Sequence, residues 1–158
     1  MQSYDVLKFN SILKFVHFRK LKLKNHPEEG DDLAQDDIDG HADVKYFFDW
    51  LVRKKKVERI LHVTVDEDPQ RLHRDTAIES ALKNLKVEIL DWQKPDLSPE
   101  TICNVGDHLK ELHLLWGGNN AVLRAWSEPE GLGTLPCLKK IHLKYCDPVC
   151  LVPDLLFF

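Results

Sequence analysis

Apolar and polar residues alternate most clearly over Leu109-Lys110-Glu111-Leu112-His113-Leu114-Leu115-Trp116. Alternate residues of a strand share a face, so this run reads as a strand with Leu112, Leu114 and Trp116 turned into a core. The outline returns as Leu138-Lys139-Lys140-Ile141-His142-Leu143-Lys144-Tyr145, where Ile141, Leu143 and Tyr145 take the same inward role. Looser copies precede it at Leu85–Trp92 and Val57–Val65. The four segments begin 24 to 29 residues apart, at positions 57, 85, 109 and 138. Glu88 falls where the other copies carry Leu or Ile, so the repeat reads as imperfect.

Helical periodicity fills the gaps. Val44, Phe47, Phe48, Leu51 and Val52 form one apolar stripe over Asp43–Lys55, closed by Arg53, Lys54, Lys55 and Lys56, which suit the negative end of a helix dipole. Trp50 falls beside that stripe. Asp75 can cap a helix over 76–84, with Ile78, Ala81 and Leu82 on one face. Ser98-Pro99-Glu100 opens a third helix, with a capping hydroxyl and proline at the first helical position, and turns Ile102 and Val105 inward. Ala121–Trp126 is a fourth, short one. Helices alternating with strands through short links predict an α/β protein with parallel strands. Two packings satisfy that order: a leucine-rich-repeat-like stack, within whose usual spacing these segments fall, and a small doubly wound sheet. The repeated L-x-x-L-x-L outline favours the stack.

The rest of the chain divides by charge. Residues 1–42 read as an N-terminal strand and an acidic loop, 43–146 as the α/β repeat region, and 147–158 as an apolar tail, all within one globular domain. Lys20-Leu21-Lys22-Leu23-Lys24 alternates as an edge strand does, its lysines discouraging sheet-to-sheet pairing. Over 26–43, Glu28, Glu29, Asp31, Asp32, Asp36, Asp37, Asp39 and Asp43 form a solvated segment. Asp37-Ile38-Asp39-Gly40 matches only part of a calcium loop and lacks its distal glutamate. The tail Val149–Phe158 is expected to pack under the last layer or to drive self-association.

Composition narrows the function. A length of 158 residues, 43% hydrophobic, allows one domain with a real core. A net charge of -4 disfavours a general nucleic-acid binder, which needs a basic surface. No apolar run reaches the roughly 20 residues that span a bilayer. The start, Met1–Asp5, lacks a secretory leader's pattern, so a cytoplasmic protein is expected, with Cys103, Cys137, Cys146 and Cys150 as reduced thiols.

Catalytic chemistry is sparse. Asp75-Thr76-Ala77 reads as a helix cap. Cys103 with His108 or His113 is a formal thiol–imidazole pair, but Cys103 belongs to a packed helix. Gly117-Gly118 and Gly131-Leu132-Gly133 lack the context of phosphate loops. His142, Cys146 and Cys150 carry zinc-ligand chemistry, yet structural zinc takes four ligands and Pro148 interrupts the spacing, so neither metal nor cofactor is expected. The outward strand positions instead collect His62, Ile89, His113 and His142 in one row and Thr64, Asp91, Leu115 and Lys144 in the next. His62, Ile89, Asp91, His113, Leu115, His142 and Lys144 are therefore the expected protein-binding face, since solenoid folds bind through such surfaces.

Several runs also resemble a known family. Val87-Glu88-Ile89-Leu90-Asp91-Trp92, then Asp96-Leu97-x-Pro99-Glu100-Thr101-Ile102, and above all Gly118-Asn119-Asn120-Ala121-Val122-Leu123-Arg124-Ala125-Trp126-Ser127 are similar to the non-catalytic region upstream of the protease domain in filamentous-fungal intracellular subtilisin-like serine proteases. Gly40-His41-Ala42-Asp43 and its helix fit as well, so the resemblance covers roughly 36–143. It implies a regulatory or interaction role. No subtilisin triad motif occurs here, so no catalytic residue carries over and the chain is expected not to be an enzyme. The alternatives are part of a serine endopeptidase active only with the missing domain, and a metal-binding domain.

Overall fold

The computed structural model describes residues 8–19 and 43–146. Five parallel strands form one sheet: β1 (Ile12–Phe18), β2 (Arg59–Val65), β3 (Lys86–Pro95), β4 (Glu111–Trp116) and β5 (Lys140–Tyr145). Their spatial order is their chain order, with each strand pairing only with its sequence neighbours. A doubly wound sheet reverses direction at a switch point. This one never does, which is the order of a repeat stack.

The helices are α1 (Asp43–Asp49), extended by a π-helical turn over Trp50–Lys54, then α2 (Asp75–Leu82), α3 (Pro99–Val105) and α4 (Asn120–Ser127). Crossovers between parallel strands are right-handed, so an unreversed order sends every helix to the same side. Accordingly α1 packs on α2, α2 on α3 and α3 on α4. Val44, Phe48 and Leu51 of the first helix, Ile78, Ala81 and Leu82 of α2, Ile102 of α3 and Trp126 of α4 meet the inward strand residues in one core.

The repeat is cleaner than the sequence suggests. Register aligns Leu13-x-x-Val16-x-Phe18, Ile60-x-x-Val63-x-Val65, Val87-x-x-Leu90-x-Trp92 and Leu109-x-x-Leu112-x-Leu114 with Leu138-x-x-Ile141-x-Leu143. Two corrections follow. A first copy, unread in the sequence, lies in β1. Leu90, not Glu88, is level with Leu112, so the misfit at Glu88 disappears. Glu88 instead bridges Arg59 and Lys110. Inward residues of the middle layers are fully buried, whereas Ile141, Leu143 and Tyr145 of β5 are 47%, 50% and 55% exposed. No described element covers that last layer. Lys20–Lys24, the acidic loop up to residue 42, Cys150 and the tail Val149–Phe158 lie outside the described residues.

Local chemistry explains the ends. The first helix widens at Lys55, whose amide reaches Trp50 O at 3.2 Å, and stops at Lys56 with φ 59°. Trp50 is half-buried, edge-on to Phe9 and stacked on Phe47. Asp75 is the first residue of α2 and pairs with Lys94 instead of capping the helix. Ser98 makes no side-chain cap bond, so proline at the first helical position does the positioning. Asn119 does cap α4, accepting from Ala121 N at 3.0 Å. Between β3 and β4, Asp96 adopts φ 53° and accepts from Gly117 N at 2.8 Å.

Candidate functional site

Odd and even strand residues part company across the sheet. One set enters the core; the other lines a face that no described helix covers. Two rows run across this open face. Phe15, His62, Ile89, Glu111 and Lys140 are in register, and so are His17, Thr64, Asp91, His113 and His142. Sequence alignment had put His62 and Ile89 level with His113 and His142. The observed register slides β4 and β5 by two residues, so Ile89 neighbours Glu111 and Asp91 neighbours His113. Leu115 and Lys144 are level with Pro95, beyond an irregularity in β3 that separates them from Asp91. All seven expected residues belong to the open face, but in other rows.

Their side chains converge. The rings of Phe15 and His62 meet edge-on at 5.0 Å, His62 and His113 stack at 6.3 Å, and His113 and His142 stack at 4.3 Å. An aromatic run thus crosses the sheet from β1 to β5. Glu111 ties its far end. Its Oε1 accepts from His142 Nε2 at 2.8 Å and from His113 Nε2 at 3.1 Å, while Lys140 Nζ lies 3.6 Å from Oε2. Partial desolvation would raise the Glu111 carboxyl. Hydrogen bonds from His113 and His142, with the charges of Lys140 and His142, outweigh this and hold it below the usual glutamate range. At the near end His17 Nε2 donates to Asp66 Oδ1 at 2.8 Å.

Glu111, Phe15, His17 and Asp66 were missed in the sequence. Glu111 was legible in hindsight, because it precedes His113 by two residues and must share its face. The other three depended on recognising β1. A second polar group was also missed: Glu67 and His73 are buried at the exit of β2, with Glu67 accepting from His73 N at 2.9 Å and Trp92 Nε1 at 2.6 Å.

Of the zinc ligands named from the sequence, the two described ones, His142 and Cys146, are not brought together. His142 and Cys146 are four residues apart on an extended strand and its exit, which separates their backbones by about 13 Å, too far for one ion. His142 turns to Glu111 instead. Cys103, Cys137 and Cys146 form no disulfide. Cys103 lies against Gly131 O and Thr134 Oγ1, away from His113. Among the described residues, no helix is long and apolar enough to cross a membrane. Comparison with protein-family models, curated proteins and solved structures finds no match to this chain.

Proposed function

We propose that this chain is a non-catalytic interaction domain that holds a protein partner on the open face of its sheet. The carrying observation is the run of rings Phe15–His62–His113–His142, with Phe15 54% exposed and acidic Asp91 and Glu111 on the same face. Aromatic side chains on a rigid platform lose little entropy on contact and bury large area, which suits them to anchor a partner. An unreversed strand order supports this reading, because it sends the described helices to one side of the sheet and leaves the other to such a use. The resemblance to the upstream region of fungal subtilisin-like proteins points the same way, towards a cytoplasmic regulatory partner.

The test is capture from filamentous-fungal extract by the tagged chain. Phe15→Asp with His62→Ala should abolish capture of a partner that the wild type holds saturably. Tyr46→Asp, at a residue 73% exposed on the helix side, should leave it intact. Equal capture by both variants would overturn the assignment of the face. Labelling of the purified chain by a serine-directed activity probe would replace the whole reading with that of a serine endopeptidase part.

A further inference from the structure

The β4–β5 end of the open face is built more tightly than a contact surface requires. Glu111 and His113 stand two residues apart on β4, and His142 is the register partner of His113 on β5. One ligand atom from each of Glu111, His113 and His142 lies within 4.8 Å of the others. We propose that Glu111, His113 and His142 form a binding site for a zinc-type divalent cation, with a fourth coordination position open to solvent.

The donor set fits that ion. Zinc takes imidazole nitrogen and carboxylate oxygen at about 2.0–2.2 Å, which separates tetrahedral ligand atoms by about 3.3–3.5 Å. The 2.8 Å and 3.1 Å contacts to Glu111 Oε1 come within a few tenths of an ångström of that spacing. Two nitrogen donors disfavour calcium and magnesium, which prefer oxygen throughout.

Scaffold and charge fit as well. Two imidazole N–H groups already converge on one carboxylate oxygen, and a cation at their meeting point takes the place of both protons. Strand register fixes both backbones, and the stacked rings, 28° apart in plane, restrict each other. Lys140 is the opposing charge. Its side chain is 58% exposed and its Nζ lies 3.6 Å from the other carboxylate oxygen, so it can swing into solvent. Asp91, beside His113 in register, adds compensating negative charge. With three protein ligands, the remaining position takes water or a side chain of a bound partner. The site stands independently of the contact reading, because it needs no partner to fill.

Zinc chloride titrated calorimetrically into the chelator-stripped full chain tests it. The expected result is about one ion per chain at micromolar affinity or tighter, with a tetrahedral cobalt spectrum that lacks a thiolate band. His142→Ala and Glu111→Gln should each weaken binding by about tenfold or more, as loss of a ligand does, and Cys146→Ser should not. Absence of saturable binding, binding undiminished in both ligand variants, or loss on Cys146→Ser would each overturn the site. Imidazole NMR of the wild type guards against misfolded variants. Zinc should perturb the His113 and His142 rings and leave His17 unmoved; perturbation confined to other histidines refutes the proposal.

Discussion

The indole of Trp92 donates to the carboxylate of Glu67 at 2.6 Å, joining the inward face of β3 to the loop that leaves β2. His73 N and His73 Nδ1 meet the other carboxylate oxygen at 2.9 and 3.0 Å. A buried charge persists only when it is hydrogen-bonded, and this one is bonded on both oxygens. Burial would raise the Glu67 carboxyl. Hydrogen bonds from His73 and Trp92, with the His73 charge, outweigh it and hold it below the usual range.

A depressed folded-state pKa means that Glu67 contributes stability above its unfolded pKa and loses it as pH falls through the lower, folded value. The urea midpoint should therefore fall below about pH 4, where carboxylates protonate. Glu67→Gln offers one acceptor to several donors and should cost about 1–3 kcal/mol at neutral pH. Its midpoint should also depend less on acid. An identical acid profile in wild type and variant would contradict the role given to Glu67.

Layer position should govern the cost of truncation. Leu114 is 2% exposed in the fourth layer and Leu143 is 50% exposed in the fifth. Leu114→Ala should cost roughly 2–5 kcal/mol, as buried leucines do. Leu143→Ala should cost about half of that or less, in proportion to the area it hides. Equal shifts in urea midpoint would show that the last layer is as covered as the fourth.

The register separates Glu88 from the core. Glu88→Leu restores no missing repeat residue; it removes the partner of Arg59 and Lys110. Both cations are substantially exposed, and such pairs contribute about 0–1 kcal/mol each. The substitution should be neutral or mildly destabilising in a thermal melt, whereas Leu90→Ala should cost roughly 2–5 kcal/mol. A clear stabilisation by Glu88→Leu would restore the alignment read from the sequence.

Asp96 and Gly117 should be coupled. A Cβ on Gly117 would lie 2.7 Å from Asp96 Oδ2, and Asp96 itself holds φ 53°. Gly117→Ala should cost about 1–3 kcal/mol, the usual range for overpacking. In an Asp96→Gly background, which removes the carboxylate and tolerates the positive φ, the same change should cost measurably less. Additive costs in a double-mutant cycle would show that the two residues do not meet.

Much of the fold could be read from Leu109–Trp116 and Leu138–Tyr145 alone. Their period-two alternation marks strands and faces, and the helical stripe of Val44, Phe48 and Leu51 marks what packs against them. These are local properties, set by how side chains leave a strand or a helix. The open face was legible for the same reason: His62, His113 and His142 all stand at outward positions.

Which residues of β3 meet β4 on that face was not legible. A strand slipped by two residues keeps every side chain on its face, so the hydrophobic pattern that forbids a one-residue slip is blind to it. The position of β4 against β3 is settled by packing through the whole stack, with Leu112 level with Leu90 and not with Glu88. That choice sets Ile89 beside Glu111 and Asp91 beside His113, while the pairing of His113 with His142 across β4 and β5 is the one the repeated outline already implies. Sequence alone determined the strands from β2 onward, the helices, the faces and the pairing of His113 with His142; tertiary packing decided how β4 and β5 meet β3, and with it that Asp91 and not Ile89 stands beside His113.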